Sequence, residues 1–417
     1  MSLLLKNCIV ADTTSPHHTK KCSVLIEKGL ITSFAGTSAE HVIDAEGKQV
    51  CVGWFDLNAN FNDPGREDKE DLSSGCLAAF AGGFTDVQVI PNTNPVLESK
   101  ADIEYITKFQ SDTISLWAAA ALSEETKGEN LTELLDLQAA GASSATDGDV
   151  PVWNTELLLK ALQYTAQVDM PIMQSAYDLQ LSRGSQMHEG IVSTNLGLRG
   201  EPGLSEEITI KRDLDILEYA GGRLHFSRVS SAGSLPLIKE AKKKGLRVTA
   251  DVAIHSLLFT DVSIGDFDTN LKVIPPFRTE EDRQALLEGV KSGVIDAICS
   301  NHRPHDLESK QLEFDLALPG AISLQTFYPS LLQLTNDIPF EVLLDRVTAG
   351  PRSVLGLTNI SLKEGVPAKL TLLDPEQTWT LNDETNHSKS RNSPFWGSTL
   401  QGKVVATVNG HQFRTFE

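Results

Sequence analysis

Between Gly53 and Leu357, short runs of apolar and β-branched side chains alternate with longer stretches in which apolar residues recur every three or four positions. Eight short runs stand out, at residues 54–57, 84–90, 116–121, 142–145, 171–174, 223–226, 247–251 and 294–299. Helical periodicity covers 156–166, 206–219, 235–244 and 280–290, the last opened by Thr279 with Asp282 three residues on, a capping pattern. Strand-then-helix units repeated in this way bury each strand on both faces and predict a parallel sheet. Eight of them predict an α/β fold closed as a (β/α)8 TIM barrel over residues 52–358, with its active site where the strands end.

The two ends of the chain alternate with a period of two. Residues 1–51 do so at 23–27 and 30–34, and residues 359–417 at 369–373 and 403–408, with turn signals at Glu364-Gly365 and Asn409-Gly410. Both ends are expected to assemble into one small composite β-domain. No low-complexity tract and no repeat of solenoid period interrupts this plan.

Composition narrows the function classes. The 417 residues are 40% hydrophobic, enough for a large core, and carry a net charge of −20 with a pI near 4.9. That charge argues against nucleic acid and anionic membranes, which reward a basic surface, and favours a basic or neutral partner. Lys6 interrupts the apolar opening of MSLLLKNCIVAD, so it reads as a first strand and not a signal peptide, and the apolar run at 114–122 is too short to span a bilayer. Five scattered cysteines without a C-x-x-C pair imply reduced thiols in a cytoplasmic protein and neither a disulfide framework nor a cysteine-zinc site.

The chemistry concentrates around GWFDLNANFNDPGRED, Gly53 to Asp68, where a buried strand runs into a polar pair and a Pro-Gly turn. Further along come Ala81-Gly82-Gly83-Phe84-Thr85, Pro91-Asn92-Thr93-Asn94-Pro95, Lys272 with Pro275-Pro276-Phe277-Arg278, His302-Arg303-Pro304-His305, Leu318-Pro319-Gly320 and Ser390-Arg391-Asn392-Ser393-Pro394-Phe395-Trp396-Gly397. In this order, over nearly its whole length, the chain resembles a dihydroorotase of the amidohydrolase superfamily. The resemblance implies one or two zinc ions that activate water for reversible opening of the dihydroorotate ring. It also implies the ligands: a His-x-His after the first strand, a bridging carboxylate or carboxylated lysine after the fourth, one histidine each after the fifth and sixth, and an aspartate after the eighth.

At those places this chain departs from the pattern. The His-x-His becomes Asn58-Ala59-Asn60, the later histidines align with Ser175 and Arg228, and the final aspartate of Asp-His-Ala-Pro-His becomes Asn301. In the fourth-strand motif the bridging position falls on Thr146 or, one residue on, on Asp147. Amides and hydroxyls are weak zinc ligands. A guanidinium about 4 Å from a divalent ion repels it by about 8 kcal/mol at an effective dielectric near 20. Arg228 is therefore expected in the space a cation would fill. Without metal, the hydroxide available at neutral pH falls by roughly eight orders of magnitude.

Of the residues that would bind substrate, Asn92 and His305 remain, with Asp147 as a possible third pocket residue, whereas Asn62 and Ile274 replace a clamping arginine and an asparagine. Two readings stand for several residues. Asn58, Asn60, Ser175 and Asn301 form either a polar ligand pocket or a satisfied hydrogen-bond network. His302 and His305, with His225 and Asp147, either build a rearranged zinc site or simply hold a loop, and the second is favoured because a short-loop H-x-x-H is not a helical zinc motif. Asp56 is expected to bond backbone or an arginine across the barrel. The loop Gly197 to Gly203 reads as a mobile cover or a contact surface, and Lys242-Lys243-Lys244 as a solvated face at a helix end.

These expectations add up to a dihydroorotase-like protein of pyrimidine biosynthesis with no intact catalytic residue set and no cofactor. By family analogy it would form homo-oligomers and act as a structural or regulatory partner of aspartate carbamoyltransferase. Two alternatives stand beside it: an active dihydroorotase or other cyclic-amide hydrolase with an atypical metal site, and a binding module for a pyrimidine precursor.

Overall fold

A computed structural model describes residues 2–416. Eight parallel strands follow one another around a barrel: Trp54–Ala59, Phe84–Val89, Ser115–Ala121, Ala142–Thr146, Ile172–Ser175, Leu224–Ser227, Val248–Ala253 and Ala297–Cys299. Each pairs with its neighbour in sequence order. The circle closes just beyond the strand ends, where Ala59 bridges to His302 and Asn60 N–H donates to the His302 carbonyl at 3.0 Å. Asp56 adds to the closure by accepting from Ser300 N–H at 2.7 Å and from its hydroxyl, so it bonds backbone as expected.

The strands are largely buried on both faces because each lies between two cores. Phe55, Leu57, Met173, Ala253, Ala297 and Cys299 pack the inside of the barrel. Trp54, Phe84, Val87 and Phe226 face the surrounding helices, and Trp54 meets Phe84 and Phe327 with ring centroids 5.7 Å apart. The Gly82-Gly83 pair that leads into the second strand is required by crowding. Gly83 has φ +94°, and a Cβ on Gly82 would lie 2.1 Å from the Leu324 carbonyl oxygen.

The predicted helices appear as Thr155–Thr165, Leu204–Ala220, Ser234–Lys243 and Glu280–Ser292. Thr279 caps the last of these, its hydroxyl accepting from Asp282 N–H at 3.2 Å while the Asp282 carboxylate accepts from Thr279 N–H at 3.1 Å. The eighth strand is shorter than its apolar run. Residues 294–296 lie before it, and Asp296 there accepts from Lys242 Nζ at 2.7 Å. Lys242 also donates to the Val294 carbonyl, so it is a half-buried tie between helix and strand, not part of a solvated run. Lys244 pairs with exposed Glu218 at 3.1 Å.

The chain ends meet in a second sheet. Ser2–Val10, Lys21–Glu27, Leu30–Ser33, His41–Asp44 and Gln49–Val52 join Lys369–Thr380, Thr399–Asn409 and Gln412–Thr415, and the seam is the antiparallel pairing of Gln49–Val52 with Lys369–Thr380. Leu3, Leu5, Val24, Val50, Leu370 and Val408 form its own core. Lys369 reaches from this sheet to the barrel, donating to buried Asp86 at 2.6 Å beside Arg352 at 2.9 Å. Burial pushes the Asp86 carboxyl up, but the two cations outweigh it and hold it below the usual carboxylate range.

Candidate functional site

The strand ends carry polar residues into a mouth where one aspartate and two arginines meet. Asp149, three residues past the fourth strand, accepts from Arg228 Nη1 at 2.6 Å and from Arg303 Nε and Nη2, each at 2.9 Å. Arg228 lies just past the sixth strand and is 2% exposed. Its other contacts reach Ser175 Oγ, Asn301 Oδ1 at 3.2 Å and the Gly148 carbonyl at 3.2 Å. Arg303, past the eighth strand, donates to Asn58 Oδ1 and, at 3.2 Å, to the Asn58 carbonyl. Of the positions singled out from sequence, 175 and 301 are thus both bonded to Arg228, and Asn58 joins them through Arg303 and Asp149.

The electrostatics of this cluster favour its present occupants. Burial raises the Asp149 carboxyl, but Arg303 and then Arg228 pull it far below the ordinary carboxylate range, so it is ionised. Two guanidiniums around one carboxylate leave a positive excess at the centre. Arg228 and Asn301 adopt φ of +59° and +52°, a left-handed backbone that costs roughly 1–3 kcal/mol in a residue with a side chain. The Arg228 N–H to Asp251 Oδ1 bond at 2.6 Å holds the first of these in place.

The remaining predicted residues are engaged elsewhere. Asn60 donates to the Asn92 carbonyl at 3.1 Å and accepts from Asn62 N–H at 2.7 Å. Asn92 donates to the Asp147 carbonyl at 3.1 Å and accepts from Asp149 N–H at 2.9 Å, so its amide holds the loop that carries Asp149. Thr146 Oγ1 accepts from Gly148 N–H at 2.9 Å. Asp147 turns away from the mouth, accepting from Leu122 N–H, Ser123 N–H and the Ser123 hydroxyl; burial lifts its carboxyl to about 6. Lys69 donates to His305 Nδ1 at 3.0 Å, and the opposite ring nitrogen faces the Pro319 carbonyl at 3.0 Å. Burial, with Lys69 nearby, lowers His305 to about 4 and keeps it neutral.

The alternative zinc grouping is not assembled. His225 lies inside the barrel wall with Nε2 2.9 Å from Asp251 and Nδ1 2.8 Å from Thr249 Oγ1, while His302 Nδ1 accepts from Ser323 N–H. Among the described residues, no three His, Cys, Asp or Glu side chains converge as ligands. The loop Gly197 to Gly203 is pinned, with Gly200–Glu201 pairing with Met187–His188 and Glu201 ion-paired to Arg278 at 2.7 Å.

The donor set at the mouth does not fit a divalent ion. The oxygens of Asn58 and Asn301 already accept from guanidiniums, and the Ser175 hydroxyl donates to the Gly148 carbonyl at 2.5 Å. A cation entering there would face Arg228 at contact distance. The space beside Arg228 is about 20 Å³, room for one water; an adjoining cavity of about 170 Å³ is lined by Tyr177, Gln186, Glu201, Lys272 and Ile274. Arg303 and Asp149 were not among the expected site residues. The signal for Arg303 is a charged residue where the related motif Asp-His-Ala-Pro-His has alanine, and Asp149 lies two residues past Asp147.

Comparison with known proteins agrees with the barrel fold. A family described as dihydro-orotase-like matches residues 47–234. The dihydroorotases of Syntrophus aciditrophicus (strain SB) and Aquifex aeolicus (strain VF5) are each 38% identical to this chain, covering 98% of it and 98% of their own length. Among solved structures, an L-hydantoinase from Arthrobacter aurescens superposes with a TM-score of 0.85 at 21% identity, covering 99% of this chain and 95% of that one, which speaks for the shared fold alone. Full-length similarity at this level means that the chain belongs to the dihydroorotase family.

Proposed function

We propose that this protein is a dihydroorotase-family member of pyrimidine biosynthesis that does not hydrolyse dihydroorotate and serves as a structural or regulatory partner of aspartate carbamoyltransferase. The observation that supports it most is the Arg228 guanidinium, bonded to Ser175, Asn301 and Asp149 where the family resemblance implies metal ligands. A cation fixed by three neighbours occupies the position, so the group that would lower the pKa of water has no place to bind. The partner assignment rests on family analogy, and the acidic chain suits a basic partner surface.

A second reading is an active dihydroorotase, or another cyclic-amide hydrolase, with an atypical site. The relatives' names favour it, since proteins 38% identical over their full length are dihydroorotases. The third reading, a sensor of a pyrimidine precursor, loses support because Asn92 and His305 spend their polar atoms on the protein itself.

One set of measurements separates the first two readings. The purified protein, with and without added zinc, is assayed for interconversion of dihydroorotate and carbamoyl aspartate, and its metal content is determined. The proposal expects no turnover and no stoichiometric zinc; turnover that a chelator abolishes establishes the second reading instead. Co-elution with the host's own carbamoyltransferase in size-exclusion chromatography tests the partner, and separate elution with unchanged transferase activity rejects it.

A further inference from the structure

We propose that Cys8 and Cys22 form a peroxide-oxidisable pair, a modification site that closes a disulfide across the first hairpin of the terminal sheet. Cys8 and Cys22 are direct partners in the antiparallel register of Ser2–Val10 with Lys21–Glu27. Directly paired residues point to the same face, with Cα atoms about 4.5–5.5 Å apart, inside the roughly 4.4–6.8 Å that a disulfide spans. Both side chains pack on the same core, Cys8 fully buried and Cys22 at its edge, and the Cys8 thiol lies 3.4 Å from the Cys22 carbonyl oxygen. Neither thiol is used by the barrel mouth, so the inference stands apart from the functional proposal above.

The pair also differs in chemistry from the other cysteines. Cys22 is the one thiol of the five that is only partly buried. A hydrogen bond from Cys8 lowers the Cys22 thiol against the opposing effect of burial, and the same contact, with burial, raises Cys8. Burial pushes Cys51 and Cys76 up to about 12, and it raises Cys299 as well. Thiolate character and exposure together decide which cysteine meets an oxidant first, and both select Cys22.

The chemistry needs hydrogen peroxide as the oxidant. The Cys22 thiolate attacks one peroxide oxygen, the O–O bond breaks, and the departing hydroxide takes up a proton to leave as water. The resulting Cys22 sulfenic acid is then attacked at sulfur by Cys8. The S–S bond forms as the S–O bond breaks, and the Cys8 proton leaves with the hydroxyl as a second water. In sum, two thiols and one peroxide give one disulfide and two waters.

The hairpin that this bond would close carries contacts to the far end of the chain. Asp12 accepts from Leu362 N–H at 2.7 Å, and Ser15 donates to the Leu362 carbonyl at 2.5 Å. Residues 11–14 form one wall of a cleft of about 360 Å³ whose opposite wall includes Glu341, Asp345 and Lys363. Oxidation would therefore tie the base of the segment that joins the two chain ends.

The test exposes the full-length, reduced protein to hydrogen peroxide, then alkylates it in denaturant and maps it by mass spectrometry. Loss of two of the five thiols, with a peptide linking Cys8 to Cys22 that dithiothreitol reverses, is the expected result. Cys22→Ser should keep its remaining thiols under the same exposure, and Cys8→Ser should accumulate a dimedone-reactive sulfenic acid at Cys22. Because Cys8 is a core position, the Cys22→Ser comparison stands alone if Cys8→Ser does not fold. Unchanged thiols, earlier oxidation at Cys51, Cys76 or Cys299, or a Cys22-linked dimer would each overturn the proposal.

Discussion

Arg228 shows how one residue decides the character of the mouth. Its guanidinium and that of Arg303 share Asp149, and removing one cation leaves the carboxylate with a single partner in a poorly solvated place. Breaking a fully buried pair costs about 3–5 kcal/mol; Asp149 keeps some exposure, so Arg228→Met should cost about 2–3 kcal/mol in urea unfolding. The double variant with Asp149→Asn should cost less than the sum of the two singles, since the second change removes the group the first left unpaired. His255 offers a pH test. Buried beside Phe259 and Phe395, with a smaller push from His302, it falls from 6.5 to about 4. The unfolded chain therefore takes up the proton first, and the stability that neutral His255 contributes is present above pH 6.5 and lost as pH falls toward 4. His255→Phe should accordingly gain stability relative to the parent as pH is lowered through that window, read from paired melting curves.

At the level of elements, the loop after the fourth strand is the part on which the mouth depends. Gly148 sits at φ +66°, and a Cβ there would lie 1.7 Å from Asn92 Oδ1, the atom that accepts from Asp149 N–H. Gly148→Ala must displace the Asn92 amide or the loop, so it should destabilise by at least about 1–3 kcal/mol and weaken the hold on Asp149. Thr279→Ala is a milder control on a different element. It removes the cap of Glu280–Ser292 and should cost about 1 kcal/mol without disturbing the mouth. A thermal-shift comparison of the two variants, with Arg228→Met beside them, separates loss of the cluster from general weakening.

For the whole molecule, the positive excess at the mouth of an otherwise acidic protein has a measurable consequence. A ligand that binds only the folded state raises the melting temperature by mass action. Micromolar zinc should leave this protein's melting temperature unchanged after allowance for thiol binding, whereas a barrel with an intact site would shift upward. An upward shift that Arg228→Met enlarges would argue that the guanidinium moves aside for metal. The two sheets are joined by the buried Lys369, Arg352 and Asp86 cluster, so the molecule is expected to melt in a single transition.

Read from the sequence alone, short apolar runs alternating with helical periodicity disclosed the eight-stranded barrel, and period-two patterns disclosed the sheet built from both ends, because burial of apolar faces leaves few other ways to arrange such runs. The ordered motifs disclosed the family, and the positions where Asn58, Asn60, Ser175, Arg228 and Asn301 stand were visible as well. The acid that pairs with Arg228 was not. Asp147 and Asp149 are both two-oxygen acids on one loop, and only the turn at Gly148 determines which one faces inward. Arg303 could be seen as a departure from a motif but not as a partner, since its contact with Asp149 spans 154 residues. Hydrophobic patterning acts locally and sets elements, whereas a charge network is fixed by which loop ends the closed barrel brings within hydrogen-bond reach, and that was decided by the tertiary structure.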